Sequence, residues 1–407
     1  MENKFKLYGD GIHDDYPAIQ EMIDSGVCEV SLPAPEKNYL ITKPLTIPSN
    51  FKLKLPRYAE IKLADNANCF MVQNKTVEKP ANRMPDYFTG DYRDFWHFVD
   101  VLSPEPEDAC CNFEIEGGIW NFNNKKQKTN PIITKQFEGG NYLGHGMFFY
   151  NVRNFRLSNM TLKDPVNYSI LLDRASYFTV ENIDLDFNDG TLPMIVNMDA
   201  VHLDGNCHYG VIRNIKGAAY DDLVALNAHE GSSGDITNIE IDGIFAEGCH
   251  SAVRLLTAIH KVENISISNI YGTYYQYCIG FTKHYNNIEG DGYFSGISIN
   301  NLYASKSKRL PRQEAHFEDK NYHFPMIWVE GGCHIKDLAV TNLHRSEYQN
   351  PIETLRFEKG CVVDNLSIKN LNLENHTDSP ITNLTNNGMI KNLSLEDITE
   401  DEIFNNG

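Results

Sequence analysis

The sequence has few basic residues for its number of acidic ones. Its 36 lysines and arginines stand against 55 aspartates and glutamates, which gives a formal net charge of −19 over 407 residues. A protein that binds nucleic acid neutralises phosphates with a basic stripe, and the sequence contains no such stripe. The charge balance therefore excludes a nucleic acid as the expected partner.

The nine cysteines lack the paired spacing that zinc and redox sites use. Two of them are adjacent, Cys110 and Cys111, and Cys207 with His208 and His284 shows no metal-ligand spacing. We therefore expect the cysteines to be small core residues in a reducing compartment. No metal and no other cofactor is expected.

Long hydrophobic runs are also missing. The chain starts with a polar segment that leaves no room for an apolar export signal, and no run reaches membrane-spanning length. These features predict a cytoplasmic protein with no membrane partner, or a secreted one if a signal has been removed. Because no linker rich in Pro, Gly or Ser interrupts the chain, a single domain is expected over residues 1–407.

The sequence does contain a recurring phrase. An alternating apolar strand is followed by Asn or Asp and a second apolar pair, at intervals of roughly 20–30 residues, which is typical of a solenoid. The clearest copies lie at residues 155–162, 178–185, 236–244, 262–270 and 363–371. Strand units that cannot bury their apolar face alone must stack, with Asn at the corners. The sequence therefore predicts an all-β fold, a single-stranded right-handed parallel β-helix.

Three segments differ from this repeat. Within residues 1–30, an acidic start is followed by Pro17 and by apolar residues at Ile19, Met22 and Ile23, a pattern that predicts an amphipathic helix over 15–24. Such a helix is suited to capping the open N-terminal end of the solenoid. Residues 77–98 and 305–324 break the period and are expected to be loop insertions.

A second repeated strand brings polar residues together. When its copies are aligned on inward pairs such as Val201 with Leu203, the outward residues fall into files with a spacing of about 4.8 Å. One file contains His202, Ala225, Arg254, Gly280 and Trp328. Another contains Met198, Asp221, His250 and Gln276, and a third contains Asp199, Asp222 and Ser251. The alignment therefore predicts three carboxylates and an imidazole on one outward patch.

Carboxylates held this close cannot all ionise at neutral pH. One then keeps a proton and acts as an acid, while a neighbour remains a base. Hydrolysis of a glycosidic bond uses such an acid–base pair. A separation of about 6.5–9.5 Å between acid and base gives inversion, and about 5–5.5 Å gives retention. Adjacent rungs are compatible with either outcome.

Specific motifs extend this interpretation. The opening at residues 8–20 resembles that of pectin-lyase-like β-helix proteins, and Asn197-Met-Asp199, Asp221-Asp222 and Cys249-His250-Ser251 resemble the signature of glycoside hydrolase family 28, the polygalacturonases. The resemblance implies an inverting hydrolase in which Asp221 is the general acid. It also implies that Asp199 and Asp222 activate water and that His250 supports them.

The match has two departures. Cys249 and Ser251 replace both glycines of the family pattern, and its Arg-Ile-Lys segment appears as Gly280-Phe281-Thr282 followed by Lys283. The family uses that basic pair to hold a uronate carboxylate, and Arg254, one rung earlier, is a candidate replacement. We predict a carbohydrate substrate contacted by residues around the patch: Asn197, His202, Arg254, Tyr277, Lys283 and Trp328.

Two other functions fit a solenoid of this kind. A polysaccharide lyase or β-helix transglycosylase would use a base beside a uronate, although it would need a cation or a basic cluster to stabilise the enolate. A non-catalytic carbohydrate-binding solenoid, of the phage tailspike kind, would need no cluster of carboxylates beside a histidine. The sequence favours a glycoside hydrolase.

Overall fold

The protein is a right-handed parallel β-helix preceded by one helix, as predicted. The computed structural model describes residues 6–77, 109–129, 143–188, 197–285, 288–308, 323–398 and 403–405. Most of the two insertions predicted at 77–98 and 305–324 therefore lies outside the described residues. Among the described residues, no helix is long and apolar enough to cross a membrane.

The helix α1 (Tyr16–Asp24) lies within a residue of the predicted span, with Pro17 in its first turn. It buries Ile19 and Ile23 in the core that the first rungs of the solenoid share. The Asp15 carboxylate before it is buried and accepts hydrogen bonds from the backbone N–H groups of Tyr8 and Leu40. These bonds join the chain before the helix to the second strand.

The described residues contain 25 strands, which pair in parallel. In chain order they are β1 (Glu29–Ser31), β2 (Tyr39–Ile41), β3 (Leu45–Ile47), β4 (Phe51–Lys54), β5 (Glu60–Leu63), β6 (Val72–Asn74), β7 (Cys110–Glu116), β8 (Ile119–Asn121), β9 (Met147–Lys163), β10 (Ile170–Asp186), β11 (Val201–Leu203), β12 (His208–Lys216), β13 (Asp222–Asn227), β14 (Ile236–Cys249), β15 (Ser251–Leu256), β16 (Lys261–Tyr274), β17 (Ile279–Thr282), β18 (Gly292–Lys306), β19 (Ile327–Val329), β20 (Cys333–Glu347), β21 (Leu355–Phe357), β22 (Val362–Asn375), β23 (Leu384–Asn386), β24 (Met389–Glu396) and β25 (Ile403–Asn405). A short 3₁₀ helix covers Asn124–Lys126. Regular pairing already begins at β1, upstream of the clearest sequence repeats. The repeated phrase is not visible there because the first rungs are too short and too irregular in sequence to show it.

One column of strands carries the candidate site. It runs through β11, β13, β15, β17 and β19, whose residues pair rung by rung without a shift. Its inward residues are fully buried, as predicted: Val201, Leu203, Val224, Leu226, Val253 and Leu255. This column is called the site column below.

Asparagines form the corner of the long strands, as the repeated phrase predicted. Asn182, Asn269 and Asn370 have φ near +56° (57°, 57° and 55°), a left-handed conformation that Asn tolerates better than most residues. Their side-chain amides also join successive rungs: Asn182 Nδ2 donates to Asn159 Oδ1 at 3.0 Å. The corner is therefore held by side-chain bonds in addition to the backbone ladder.

Two glycines near another corner give a matched test of the tight stacking between rungs. A Cβ on Gly272 (φ +134°) would lie 1.7 Å from the carbonyl oxygen of Ala246, whereas a Cβ on Gly248 (φ +64°) would meet nothing within 4 Å. We expect Gly272→Ala to lower the free energy of unfolding by more than the roughly 1–2 kcal/mol that left-handed strain alone costs in Gly248→Ala. Equal losses in urea unfolding would show that the rungs at this corner are not in close contact.

Candidate active site

The site is built by the register of the site column. Pairing places His202 beside Ala225, Ala225 beside Arg254, Arg254 beside Gly280, and Gly280 beside Trp328. Asp222 pairs with Ser251 one rung later. The file from His202 to Trp328 and the pair of Asp222 with Ser251 are those that the alignment of the sequence predicted, so these outward residues lie on one side of the solenoid.

Asp221, Asp222 and His250 form the centre of this patch. Each offers one side-chain atom within 4.8 Å of the others. Nδ1 of His250 is 3.3 Å from Asp221 Oδ1 and 3.9 Å from Asp222 Oδ1. The carboxylate of Asp222 also accepts a hydrogen bond from the Ser251 hydroxyl. Ser251, which stands where the family pattern has glycine, thus contributes a donor to the patch.

Asn197 and Arg254 flank the two aspartates. The backbone N–H of Asn197 donates to Asp221 Oδ2 at 2.9 Å, and Asn197 itself has a left-handed φ of 55°. Arg254 Nη1 lies 3.9 Å from Asp222 Oδ2, while its Nε donates to Thr282 Oγ1 at 3.1 Å. Arg254 is thus the basic residue of the patch, one rung before the position at which the family pattern has arginine.

The outward patch is not open to solvent. Although the side chains point away from the solenoid core, Asp221 and His250 are only 7% and 4% exposed. Aromatic residues of the next rung cover them: Tyr275 and Tyr277 present ring edges to His250 at centroid distances of 5.2 and 6.4 Å. The alternation of a strand determines the side to which a residue points, and packing outside the strand determines whether water reaches it.

Burial shapes the ionisation of the carboxylates. It raises the pKa of Asp222 well above its usual range, and the neighbouring carboxylates of Asp221 and Asp199 add to the increase. Burial and Asp221 likewise raise the pKa of Asp199 to about 7, although a hydrogen bond to His202 opposes the rise. The patch therefore favours the retention of protons on its carboxyl groups at neutral pH.

His202 was predicted to point outward and to contact a sugar. The structure does not place it in an exposed position. It is buried, with Tyr168 stacked on its ring at a centroid distance of 3.7 Å. Its Nδ1 is 2.7 Å from Asp199 Oδ2, and its Nε2 is 3.1 Å from Glu230 Oε2. His202 thus belongs to a buried polar network that begins at Asp199.

Lys283 does not join the carboxylates. Its ammonium group donates to the carbonyl oxygen of Gly290, and its backbone N–H donates to Glu330 Oε2 at 2.8 Å. It stands one residue beyond the position of the family lysine, and the alternation of the strand turns it to a different direction.

Aromatic rings fill the space beside Gly280. A Cβ on Gly280 would lie 2.5 Å from the ring of Tyr277, so this ring occupies the room that a longer side chain would need. Tyr277 stacks on Trp328 at 5.7 Å, and Phe324 meets Trp328 edge-on at 4.8 Å. Trp328 is half-buried, and its indole N–H donates to Glu358 Oε1 at 3.0 Å.

Sequence reasoning missed Glu230, Asn227 and Tyr285. Glu230 accepts hydrogen bonds from the amide of Asn227 at 3.1 Å and from the hydroxyl of Tyr285 at 2.7 Å. The turn after β13 carries Glu230 outside the alternation of the strand, so no periodic signal pointed to it. The buried side chains that could ligate a metal ion form two trios. One is Asp221 with Asp222 and His250, and the other is His202 with Asp204 and Glu230.

Comparison with known proteins establishes the fold. No protein-family model matches the sequence, and no curated protein matches it. Among solved structures, endo-xylogalacturonan hydrolase from Aspergillus tubingensis is 12% identical, with a TM-score of 0.66 over 99% of this chain and 98% of that chain. The family 28 exopolygalacturonase of Yersinia enterocolitica is 13% identical, with a TM-score of 0.57 over 96% and 76% of the two chains. A mutant tailspike protein of E. coli bacteriophage HK620, in complex with pentasaccharide, is 14% identical, with a TM-score of 0.61 over 96% and 65%.

The buried Asp222 gives a testable dependence of stability on pH. Its folded pKa is raised, so the native state keeps a proton that the unfolded state loses above about pH 3.9, and stability falls as the pH rises from there. We expect Asp222→Asn, which removes this titration, to raise the free energy of unfolding by at least about 1 kcal/mol at about pH 8 relative to the unchanged protein. The gain should shrink toward about pH 4.

The exposed Asp378 offers the matched control, because Asp378→Asn removes a carboxylate that is not buried. Chemical unfolding at several pH values measures both variants. A gain for Asp222→Asn that does not change with pH would show that Asp222 is ionised in the native state throughout.

Proposed function

We propose that the protein is a glycoside hydrolase that acts on an oligosaccharide or polysaccharide. The observation that carries the proposal is the convergence of Asp221, Asp222 and His250, with one atom of each within 4.8 Å of the others and all three buried. Two carboxylates this close and this dry share a proton, so that an acid and a base are present together at neutral pH. Cleavage of a glycosidic bond requires a carboxylic acid and a carboxylate that flank the bond.

The proton that Asp222 retains lies beside the Asp221 carboxylate, so both aspartates are candidate donors. The family resemblance assigns its delivery to Asp221, which is the less buried of the two. The contacts supply an argument for the reverse assignment, because Asp221 accepts a backbone N–H whereas burial and two carboxylates disfavour the ionisation of Asp222. We propose Asp221 as the donor, and the variants below distinguish the two assignments.

Inversion is the proposed stereochemical outcome. This outcome follows the family resemblance. The oxygens of Asp221 and Asp222 lie within 4.8 Å, which is nearer to the about 5–5.5 Å of a retaining pair than to the about 6.5–9.5 Å that admits a water, so inversion requires a further carboxylate to hold the water. The third carboxylate, Asp199, is therefore proposed to hold the attacking water together with Asp222. Nuclear magnetic resonance of the first-formed anomer tests this directly.

A neutral sugar is the proposed substrate class. Five buried carboxylates lie in and beside the patch, whereas Arg254 is its basic residue: Asp199, Asp204, Asp221, Asp222 and Glu230. A uronate would bring another negative charge to this surface at an unfavourable electrostatic cost. The half-buried ring of Trp328, which stacks on the buried ring of Tyr277 beside Gly280, instead offers an apolar surface on which the C–H face of a neutral sugar can pack.

The catalytic assignment is tested with two leaving groups. We expect Asp221→Asn and Asp222→Asn each to lose about 10²–10⁴-fold in kcat on an ordinary glycoside. A dinitrophenyl glycoside leaves without protonation, so the variant that lacks the acid should recover most of its rate on that substrate, and the variant that lacks the water-binding group should not. We expect recovery for Asp221→Asn.

Reducing-sugar release without the ultraviolet absorbance of an unsaturated uronate separates hydrolysis from the lyase alternative. Asp378→Asn is the control, since its carboxylate is exposed and its loss should leave kcat unchanged. Near-normal turnover by both Asp221→Asn and Asp222→Asn on a verified substrate would refute the proposed mechanism. Recovery by Asp222→Asn alone would exchange the two roles.

The substrate class is tested with a pair of oligosaccharides that share a linkage and differ only in the neutral or uronic form of one sugar. We expect kcat/KM to be at least about tenfold higher for the neutral form, which corresponds to about 1.4 kcal/mol. Trp328→Ala should raise KM with little change in kcat, because the ring contacts substrate away from the reacting atoms. Tyr58→Ala is the control, because Tyr58 is an exposed aromatic residue in the first rungs, well before the site column in the sequence. A preference for the uronic form would overturn the assignment.

A further inference from the structure

The buried network around His202 has the geometry of a set of metal ligands. The Nδ1 of His202 lies 2.7 Å from Asp199 Oδ2, which directs the opposite nitrogen, Nε2, away from that aspartate. Nε2 is 3.2 Å from Asp204 Oδ1 and 3.1 Å from Glu230 Oε2. One atom from each of His202, Asp204 and Glu230 lies within 4.8 Å of the others, and all three residues are more than nine-tenths buried.

Beside the trio, Oδ1 of Asn227 accepts no hydrogen bond from the described residues, although Asn227 is only 2% exposed. Oδ1 of Asp204 has Nε2 of His202, at 3.2 Å, as its contact. A buried oxygen without a donor costs about 1–3 kcal/mol. Asn227 already contacts the network through its amide nitrogen, 3.1 Å from Glu230 Oε2, and rotation of the amide by about 180° would turn its oxygen to that place.

The buried negative charges around the network also favour a positively charged ligand. Asp199, Asp204 and Glu230 are joined by Asp173, which is fully buried and whose Oδ2 accepts the backbone N–H of Ser232 at 2.9 Å. The guanidinium of Arg254 lies 3.9 Å from Asp222 in the other trio, although its charge also acts on Glu230, and Arg174 acts on Asp173. Buried carboxylates need a positive partner, since an isolated buried charge is very costly.

We propose that His202, Asp204 and Glu230 bind a divalent transition-metal ion of the zinc or manganese class. One imidazole nitrogen with two carboxylate oxygens suits these ions, whereas Ca²⁺ and Mg²⁺ prefer oxygen ligands alone. A tetrahedral ion with bonds of about 2.1 Å separates its ligand atoms by about 3.4 Å, which is close to the two separations measured from Nε2.

The surrounding residues have the roles that outer partners of a metal site take. Asp199 accepts the other N–H of the His202 ring, and the Tyr285 hydroxyl donates to the second oxygen of Glu230 at 2.7 Å. Such partners fix the orientation of the ligands. Because Asp199 also belongs to the proposed acid–base set, the ion would hold one catalytic carboxylate in place. The site goes beyond the proposed hydrolase function and is tested without a substrate.

The experiment is metal binding by the full chain. The protein is treated with a chelator, dialysed into metal-free buffer and titrated calorimetrically with ZnCl₂, MnCl₂, CaCl₂ and MgCl₂ in turn. We expect one equivalent of Zn²⁺ or Mn²⁺ to bind with a Kd of about 1 μM or lower, and Ca²⁺ and Mg²⁺ to bind at least about 100-fold more weakly. The bound ion should raise the unfolding temperature in proportion to the logarithm of its free concentration over Kd.

Variants locate the ion. Asp204→Asn and Glu230→Gln should each weaken binding at least about 100-fold, and Asp199→Asn, which changes an outer partner, about 10–100-fold. His250→Gln is the matched control, because it removes the imidazole of the other buried trio and should leave the affinity unchanged. Far-ultraviolet circular dichroism checks that each variant is folded.

Two results would overturn the proposal. If the chelated, unaltered protein binds neither Zn²⁺ nor Mn²⁺ more tightly than about 100 μM, His202 is held by protons on both nitrogens and no ion is required. If His250→Gln abolishes binding and Asp204→Asn does not, the ion belongs to the other trio. The first result needs no variant, circular dichroism shows whether the variants of the second are folded, and neither result bears on whether the protein hydrolyses a glycoside.

Discussion

The parallel register between successive rungs is the constraint on which the rest of this structure depends. Val201, Val224, Val253 and Ile279 pair in sequence along the site column without a shift. Because side chains alternate with a period of two, a slip of one residue in any rung would exchange its inward and outward residues. Core and candidate site are therefore specified by the same hydrogen bonds.

The same register concentrates negative charge. Rungs separated by one strand spacing place Asp199, Asp221 and Asp222 close together, and the aromatic rings of Tyr168, Tyr275 and Tyr277 keep the surroundings dry. The electrostatic cost is met locally by Arg254 and by protons retained on the carboxyl groups. A solenoid supplies this arrangement readily, since a stable core lies directly beneath it and does not need the charged residues for its own stability.

The solved structures with this fold include hydrolases and a phage tailspike, so the fold by itself does not select a chemistry. The side chains narrow the choice. Gly280 and the ring of Tyr277 occupy the place of a basic subsite, and Ser251 donates to Asp222 where the family pattern has a glycine. The patch is thus similar to a family 28 site in its carboxylates and different from it in the groups that would contact the sugar.

The sequence by itself determined the architecture, the cap and the files of the site column. Alternation fixed Val224 and Leu226 inward and Ala225 outward, and the recurrent Asn residues marked corners, because these features depend on local periodicity and backbone preference. A resemblance in short motifs was enough to select Asp199, Asp221, Asp222 and His250 as neighbours.

Only the tertiary structure decided the environment of those residues. Burial of His202 depends on Tyr168, which lies a rung earlier, and the contact between His202 and Glu230 depends on the shape of the turn after β13. Lys283 is turned away from the carboxylates by a one-residue offset that matters only once the strand is folded. Periodicity gives the direction in which a side chain points, whereas solvent access, ionisation and contacts across turns arise from atoms far apart in the sequence.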